Sequence, residues 1–189
     1  INQFPAHLTV INLAVQNPKA RIKKVNVAVN DIFDVKSRQA TLSGLESITT
    51  EGKPTLIEMP PAFDVVVANP PYIRQELLGE KEKLKIKSLI ESEYKNRLFI
   101  GVSSNKAKGS ITLDKQSDIY IYFYIHGLSF LKNGGNLGFI SSNKWLEVGY
   151  GEPFQQFLID NTKILYVIEF DKAVFPDAEV NTEVTILEK

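Results

Sequence analysis

The sequence has no cysteine, only two histidines, and no apolar segment close to the length of a membrane span. The absence of cysteine excludes disulfides, thiolate zinc sites and cysteine nucleophiles, and is typical of the reducing cytoplasm, where we expect this protein. A membrane-spanning helix needs roughly 18 predominantly apolar residues, so we expect no membrane partner. With these residue types scarce, we expect a chemistry that uses neither a thiol nor a metal.

The sequence also lacks an excess of either charge. It has 22 basic and 22 acidic residues, and a formal net charge of +0. This balance excludes a uniformly basic coat for nucleic acid but is compatible with a local basic face. At 189 residues, with 43% hydrophobic and 23% charged residues, the chain is typical of one globular domain, or of one domain with a large insert.

Strand-like and helix-like segments alternate along the chain, which predicts a three-layer α/β fold with a mostly parallel sheet. The β-branched segment 63–68 reads as a strand buried on both faces. Segment 38–61 reads as a loop with one small hairpin, and 103–116 as a loop. The other predicted strands are 25–29, 137–141, 164–170 and 183–187, and the predicted helices are 4–15, 75–100, 119–131 and 152–161.

The most specific motif is Asn69-Pro70-Pro71-Tyr72, directly after the predicted strand 63–68. Ligands of open α/β sheets bind at the carboxyl ends of the strands, where this loop would lie. Both prolines have a fixed φ and no N–H, so the Pro70 carbonyl is held in one direction in an acceptor-rich loop. The Asn69 side-chain oxygen adds a second acceptor, and Tyr72 adds a planar face. Such a loop suits an exocyclic –NH2 group on a planar ring, although the motif alone fits a proline-rich turn equally well.

In this motif and its surroundings the chain resembles the adenine-N6 DNA methyltransferases of type II (type IIG-like) restriction-modification systems, in the motif order called class gamma. These enzymes use S-adenosylmethionine. The resemblance implies that Asn69, Pro70, Pro71 and Tyr72 form the catalytic motif. It also implies that Asp31 accepts from the adenine amine of the cofactor, that the Ile32 N–H contacts the same ring, and that Phe175 stacks with Tyr72 on the target adenine.

Several of these residues have simpler interpretations. Asp31 could cap a turn, and Phe175 could belong to the core. We interpret Trp145 as a packing residue, and both His7 and His126 as structural.

The resemblance implies a Rossmann-like S-adenosylmethionine-dependent methyltransferase sheet with flanking helices, lacking its first strands. Residues 1–189 would then be a partial catalytic domain, with an insert at 73–118 after the catalytic loop. The glycine loop for the cofactor and the target-recognition domain would lie outside the chain. We therefore expect that this segment alone is inactive and binds S-adenosylmethionine weakly.

The insert is rich in lysine and begins beside the catalytic loop, so Arg74, Lys106 and Lys108 are candidate contacts to the DNA backbone. The expected partners are double-stranded DNA, a target-recognition domain, and a fused or separate restriction endonuclease. The DNA target sequence is not readable from these residues.

Two other functions share features of this sequence. Protein-glutamine and ribosomal-RNA amino-methyltransferases also carry the tetrapeptide, and some continue with isoleucine, as Ile73 does here. A degenerate methyltransferase domain that binds DNA without catalysis is the other alternative. The insert and the segment Val174-Phe175-Pro176 favour DNA adenine. Asn69 disfavours N4-cytosine chemistry, because those enzymes usually have serine at this position.

Overall fold

A computed structural model describes residues 8–9, 11–13, 15, 26–42, 57–73, 75–95, 97–101, 110–172, 174–175 and 180–189. The chain folds as two compact units, residues 1–61 and 62–189.

In the first unit, the described residues within 8–15 are helical, as the sequence predicts. Strand β1 (Thr41–Leu42) pairs antiparallel with β2 (Ile57–Glu58), which confirms the predicted small hairpin. The predicted strand at 25–29 is wrong for its described part, because residues 26–29 form no regular structure. Alternating valines give a strand-like pattern, but a strand also requires a hydrogen-bonded neighbour.

The second unit is built on a four-stranded sheet with helices and a smaller two-stranded sheet. Its strands are β3 (Phe63–Ala68), β4 (Leu98–Ile100), β5 (Ile111–Leu113), β6 (Leu131–Ser142), β7 (Lys163–Glu169) and β8 (Thr182–Glu188). Its helices are α1 (Glu80–Tyr94), α2 (Ile119–Phe130), α3 (Lys144–Glu147) and α4 (Glu152–Asn161).

The main sheet has the strand order β3-β6-β8-β7. Strands β3 and β6 are parallel, but β8 is antiparallel to both β6 and β7. Strands β3, β6 and β7 therefore run in the same direction and β8 alone is reversed, so the main sheet is mostly parallel, as expected, with one antiparallel strand. The described residues between β7 and β8 contain no crossover helix, and a strand that returns without a crossover runs antiparallel to its predecessor.

The region after Asn69-Pro70-Pro71-Tyr72 differs from the predicted long helix and loop. Helix α1 spans only Glu80–Tyr94, because Lys95 has a left-handed conformation with a φ of 37°. The chain then forms β4, which pairs in parallel with β5. Strand β5 lies within the segment that was predicted to be a loop. The three residues of β4 are all buried, so burial of its apolar side chains outweighs continuation of the helix.

Helix α2 is the centre of the core and packs on β6. The Tyr124 ring lies 4.7 Å from that of Phe139 on β6 and 5.4 Å from that of Phe154 on α4, so one aromatic residue joins two helices to the sheet. Helix α2 ends at Phe130, because Leu131 has an extended conformation and begins β6. Within the described ranges, no helix is both long enough and apolar enough to cross a bilayer.

Strand β3 lies at one edge of the described sheet and is not buried on both faces as expected. Val65 is 55% exposed and Val67 is 76% exposed. Its neighbour β6 passes very close at Gly135, where an added Cβ would lie 3.0 Å from the Asp64 carbonyl oxygen and 3.1 Å from that of Phe63. These contacts are tight, so glycine eases the close approach of the two strands.

Gly151 generates a stability prediction, because an added Cβ there would overlap the Trp145 carbonyl group. We expect Gly151→Ala to lower the free energy of unfolding by about 1–3 kcal/mol, as overpacking against rigid backbone does. Gly149 is the matched control: it belongs to the same 3-10 turn, and an added Cβ would meet no atom within 4 Å. Denaturant unfolding of both variants would measure the difference, and equal stabilities would contradict this packing.

Candidate functional site

The Asn69-Pro70-Pro71-Tyr72 loop begins where β3 ends. Ala68, the last residue of β3, pairs in parallel with Phe139, so the loop leaves the sheet at its carboxyl edge, as predicted. Pro70 is buried, whereas Asn69 and Pro71 are exposed. The buried proline anchors the loop and leaves the Asn69 side chain accessible to a ligand.

Tyr72 lies against the strand next to β3. Its hydroxyl donates to the Ile140 carbonyl oxygen over 3.5 Å, a long and weak hydrogen bond. Burial, and to a smaller extent the negative charge of Glu183, raise the pKa of Tyr72, so the phenol stays neutral. Tyr72 thus presents an uncharged aromatic face beside the loop.

The structure brings Tyr72 and Phe175 together, although 102 positions separate them in the numbering. Their ring centroids lie 6.2 Å apart, with an angle of 52° between the planes. Two rings in direct contact would have to separate and turn toward parallel before a base could lie between them. Their stacking role remains a prediction.

A cavity of about 80 Å³ adjoins the loop, and side chains of both charges line it. Lys144 contributes a cation and Asp118 a carboxylate, which accepts a hydrogen bond from the Tyr150 hydroxyl at 2.8 Å. The remaining lining residues are Tyr72, Ile73, Tyr120, Ser142 and Val180. Segments after β3 and β6 and before β8 therefore meet at one edge of the sheet.

A buried carboxylate at this edge was not identified from the sequence. Glu183, near the start of β8, is 0% exposed and pairs with Ser141 at the end of β6. It accepts hydrogen bonds from the hydroxyls of Tyr124, Ser141 and Thr185 and from the indole N–H of Trp145. One sequence signal could have indicated this buried carboxylate: it is a glutamate in a strand that is otherwise rich in threonine and apolar residues.

Asp31 and Ile32, the predicted cofactor residues, lie in the first unit. Asp31 is the N-cap of a 3-10 turn, Ile32–Asp34, and its Oδ1 accepts from the Phe33 N–H at 3.0 Å. The capping interpretation of Asp31 is thus confirmed. A carboxylate can accept about four hydrogen bonds, so the cap is compatible with a second donor, and the cofactor role remains a prediction.

The three predicted DNA-backbone residues, Arg74, Lys106 and Lys108, lie outside the described residues. Other lysines of the same insert line a cavity of about 380 Å³ between α1 and the end of β4: Lys83, Lys87 and Lys115. Glu80 also lines it and forms an ion pair of 3.1 Å with Lys83. Lys87 is also paired, with Glu91 at 3.8 Å, so glutamates partly neutralise the positive charge of this surface.

Two residues interpreted as structural are buried in the core. The His126 Nδ1 lies 3.0 Å from Glu93 Oε2, which joins α2 to α1, so His126 has a partner that the sequence did not reveal. Trp145 is buried with its ring 5.2 Å from that of Phe154, as expected of a packing residue. His7 lies outside the described residues.

Comparisons with known proteins agree with this arrangement. The family model of the Eco57I restriction-modification methylase matches residues 1–175. The chain is 33% identical over 110 residues to the type II methyltransferase M.BstVI of Geobacillus stearothermophilus, and 26% identical over 167 residues to M.XhoI of Xanthomonas vasicola. These alignments cover 58% and 87% of this chain.

The chain belongs to the Eco57I restriction-modification methylase family. It spans 16% of the length of M.BstVI and 27% of M.XhoI. The fold resembles that of the type IIG restriction endonuclease BpuSI, with a TM-score of 0.54 at 16% identity, over 85% of this chain and 15% of that one. The Rossmann-like methyltransferase fold expected from the sequence is thus confirmed.

The tyrosines around the site generate a prediction for alkaline pH. Burial, together with the hydrogen bond to Asp118, raises the pKa of Tyr150 to about 12, and burial also raises the pKa of Tyr120 and Tyr124. Unfolded tyrosines lose their proton near pH 10, so above that pH the folded chain binds more protons than the unfolded chain. We expect the free energy of unfolding to fall as the pH rises from about 10 toward 12.

Denaturant unfolding between pH 8 and 11.5 would measure this loss, with Tyr150→Phe as the control. The variant lacks one of the raised groups, so its stability should fall less steeply with pH. Identical slopes would contradict the contribution of Tyr150.

Proposed function

We propose that this chain is part of a site-specific DNA methyltransferase that transfers a methyl group from S-adenosylmethionine to the N6 amine of adenine. The supporting observation is the Asn69–Tyr72 loop at the carboxyl edge of the sheet, with an accessible Asn69, a buried Pro70, and Tyr72 beside Phe175. Membership of a restriction-modification methylase family supports DNA as the substrate.

The loop acts on the amine through two acceptors. The Asn69 Oδ1 and the Pro70 carbonyl oxygen each accept one N–H of the target amine. In free adenine the nitrogen lone pair is delocalised into the ring, so the amine is a poor nucleophile. Holding both hydrogens moves the nitrogen toward tetrahedral geometry and concentrates electron density on it. The rate then depends on orientation and on preorganised dipoles rather than on a strong base.

The aromatic pair holds the base. An adenine inside a duplex is not accessible to these acceptors, so the target base is flipped out of the stack. Tyr72 and Phe175 then separate and hold the base by stacking on its faces. The neutral Tyr72 phenol suits this role, because a neutral ring places no charge beside the base.

The methyl donor fits the residues present. Asp31 is an exposed carboxylate that can accept an amine N–H in addition to its cap bond, and the exposed Ile32 begins the adjoining turn. These residues would hold the adenine moiety of S-adenosylmethionine. When bound, the cofactor supplies an electrophilic sulfonium methyl group.

The proposed partner is double-stranded DNA, with phosphate contacts from the insert. Lys83, Lys87 and Lys115 line one cavity there, and Arg74, Lys106 and Lys108 add further positive charge nearby in the sequence. The name of BpuSI describes a restriction endonuclease, so we propose that a nuclease is fused to this chain or acts beside it.

Replacement of Asn69 tests the proposed chemistry. In the complete natural polypeptide that contains this chain, we expect Asn69→Ala to lower kcat for DNA methylation by about 100-fold or more, because one preorganised acceptor is lost. Mass spectrometry of N6-methyladenine in host DNA measures the transfer. Asn161→Ala, at the end of α4, is the control, and its activity should equal that of the wild type.

The product distinguishes the alternatives. N4-methylcytosine in the DNA would contradict adenine specificity. Transfer to a glutamine-containing protein or to ribosomal RNA, without transfer to DNA, would support the other amino-methyltransferases. Absence of transfer to any of these by the wild type would indicate a non-catalytic domain.

Asp31 gives a separate test of cofactor binding. We expect Asp31→Ala to weaken S-adenosylmethionine binding by about 10-fold or more in calorimetry, as loss of a charged acceptor does. Asp31→Ser separates this role from capping, because serine preserves the cap but not the carboxylate. Both variants should bind weakly, and normal binding by Asp31→Ser would show that the cap alone matters.

A further inference from the structure

On the face of the main sheet that the helices cover, the buried side chains change from apolar to polar toward the proposed catalytic loop. Across the β6–β8 pair, Leu137 lies opposite Leu187, and Ser141 lies opposite Glu183. All four side chains are buried. The polar pair therefore lies at the carboxyl end of β6, the same edge at which Asn69–Tyr72 leaves β3.

Glu183 has a complete set of hydrogen-bond donors. Its Oε1 accepts from the hydroxyls of Ser141 at 2.8 Å and Tyr124 at 2.9 Å, and from the Trp145 indole N–H at 3.2 Å. Its Oε2 accepts from the Thr185 hydroxyl. Four donors suit the ionised form, which only accepts. A fully buried charge is tolerated only with such a set, so the cluster is ordered as a unit.

The donors come from the structures that form the wall of the site. Tyr124 belongs to α2, Ser141 is the last but one residue of β6, and Trp145 lies in α3. Ser141 follows Ile140, whose carbonyl accepts from Tyr72, and Trp145 follows Lys144, which lines the small cavity with Tyr72. Glu183 is thus connected to the Tyr72 hydroxyl through Ser141 and its neighbour Ile140, and Trp145 adjoins a residue that lines the same cavity as Tyr72.

We propose that Glu183 is a positioning residue for methyl transfer: its carboxylate fixes the ends of β6 and α3 against α2 and β8, and so fixes the wall on which Tyr72 rests. This inference rests on the proposed function. The geometry agrees with a smaller contribution of the Glu183 charge, after burial, to the raised pKa of Tyr72.

The decisive variant is Glu183→Gln in the complete natural polypeptide, which keeps the shape of the side chain and removes its charge. We expect kcat to fall by about 10- to 100-fold, since small displacements of positioning groups have effects of that size. The KM values for DNA and S-adenosylmethionine should stay within about threefold, because Glu183 touches neither ligand. A residue needed only for stability would lower the melting temperature and leave kcat per folded molecule unchanged.

The matched control is Glu188→Gln, on the same strand but at its other end, where Glu188 pairs with Asn136. It should keep the wild-type kcat. Incorporation of 5-fluorotryptophan gives a spectroscopic readout, with the Trp145 signal assigned by its loss in Trp145→Phe. That signal should shift in Glu183→Gln and not in Glu188→Gln, because the Trp145 indole donates to Glu183.

If Glu183→Gln does not fold, the variant Tyr124→Phe tests the proposal instead, because it removes one hydroxyl donor to Glu183 and keeps the ring in the core. It should lower kcat in the same direction, by a smaller factor, with unchanged KM values. A folded Glu183→Gln or Tyr124→Phe with wild-type kcat would overturn the proposal and leave the proposed function intact. A wild type that methylates no DNA would overturn both, and this outcome is seen before any variant is compared.

Discussion

The parallel pairing of β3 with β6 is the constraint on which the candidate site depends. Ala68 pairs with Phe139, so the loop after β3 and the segment after β6 emerge at the same edge of the sheet. If β6 ran the other way, Ile140 and Lys144 would lie at the opposite edge from Tyr72. Gly135 eases this pairing, because a Cβ there would crowd the carbonyl groups of β3.

At this edge of the sheet, the residues of the proposed catalytic loop lie nearer the surface than the buried Glu183 cluster. Asn69 is exposed and Tyr72 is half-buried, whereas the Glu183 cluster is enclosed between the sheet and the helices. Hydrogen bonds to a charged group are stronger than those between neutral groups, and they are stronger still away from water. The hydrogen-bonded Glu183 cluster therefore lies behind the wall on which the Tyr72–Phe175 pair rests.

Much of the local structure follows from local patterns. The β-branched segment 63–68, the apolar segment 119–130 and the strands 163–169 and 182–188 lie close to their predicted positions, because strong patterns of this length override weak propensities. The predictions were wrong for short segments in which a strand forms only if it pairs with another strand. Residues 98–100 and 111–113 form strands only because they pair with each other, and 26–29 form none.

The sequence by itself determined the family and the motif, because Asn69-Pro70-Pro71-Tyr72 and its neighbouring motifs are contiguous and need no knowledge of the fold. Only the tertiary structure decided which distant residues meet. Phe175 reaches Tyr72, and Glu183 collects donors from four elements, because strand β8 returns between β6 and β7. Such contacts depend on strand order and register, which no local pattern encodes.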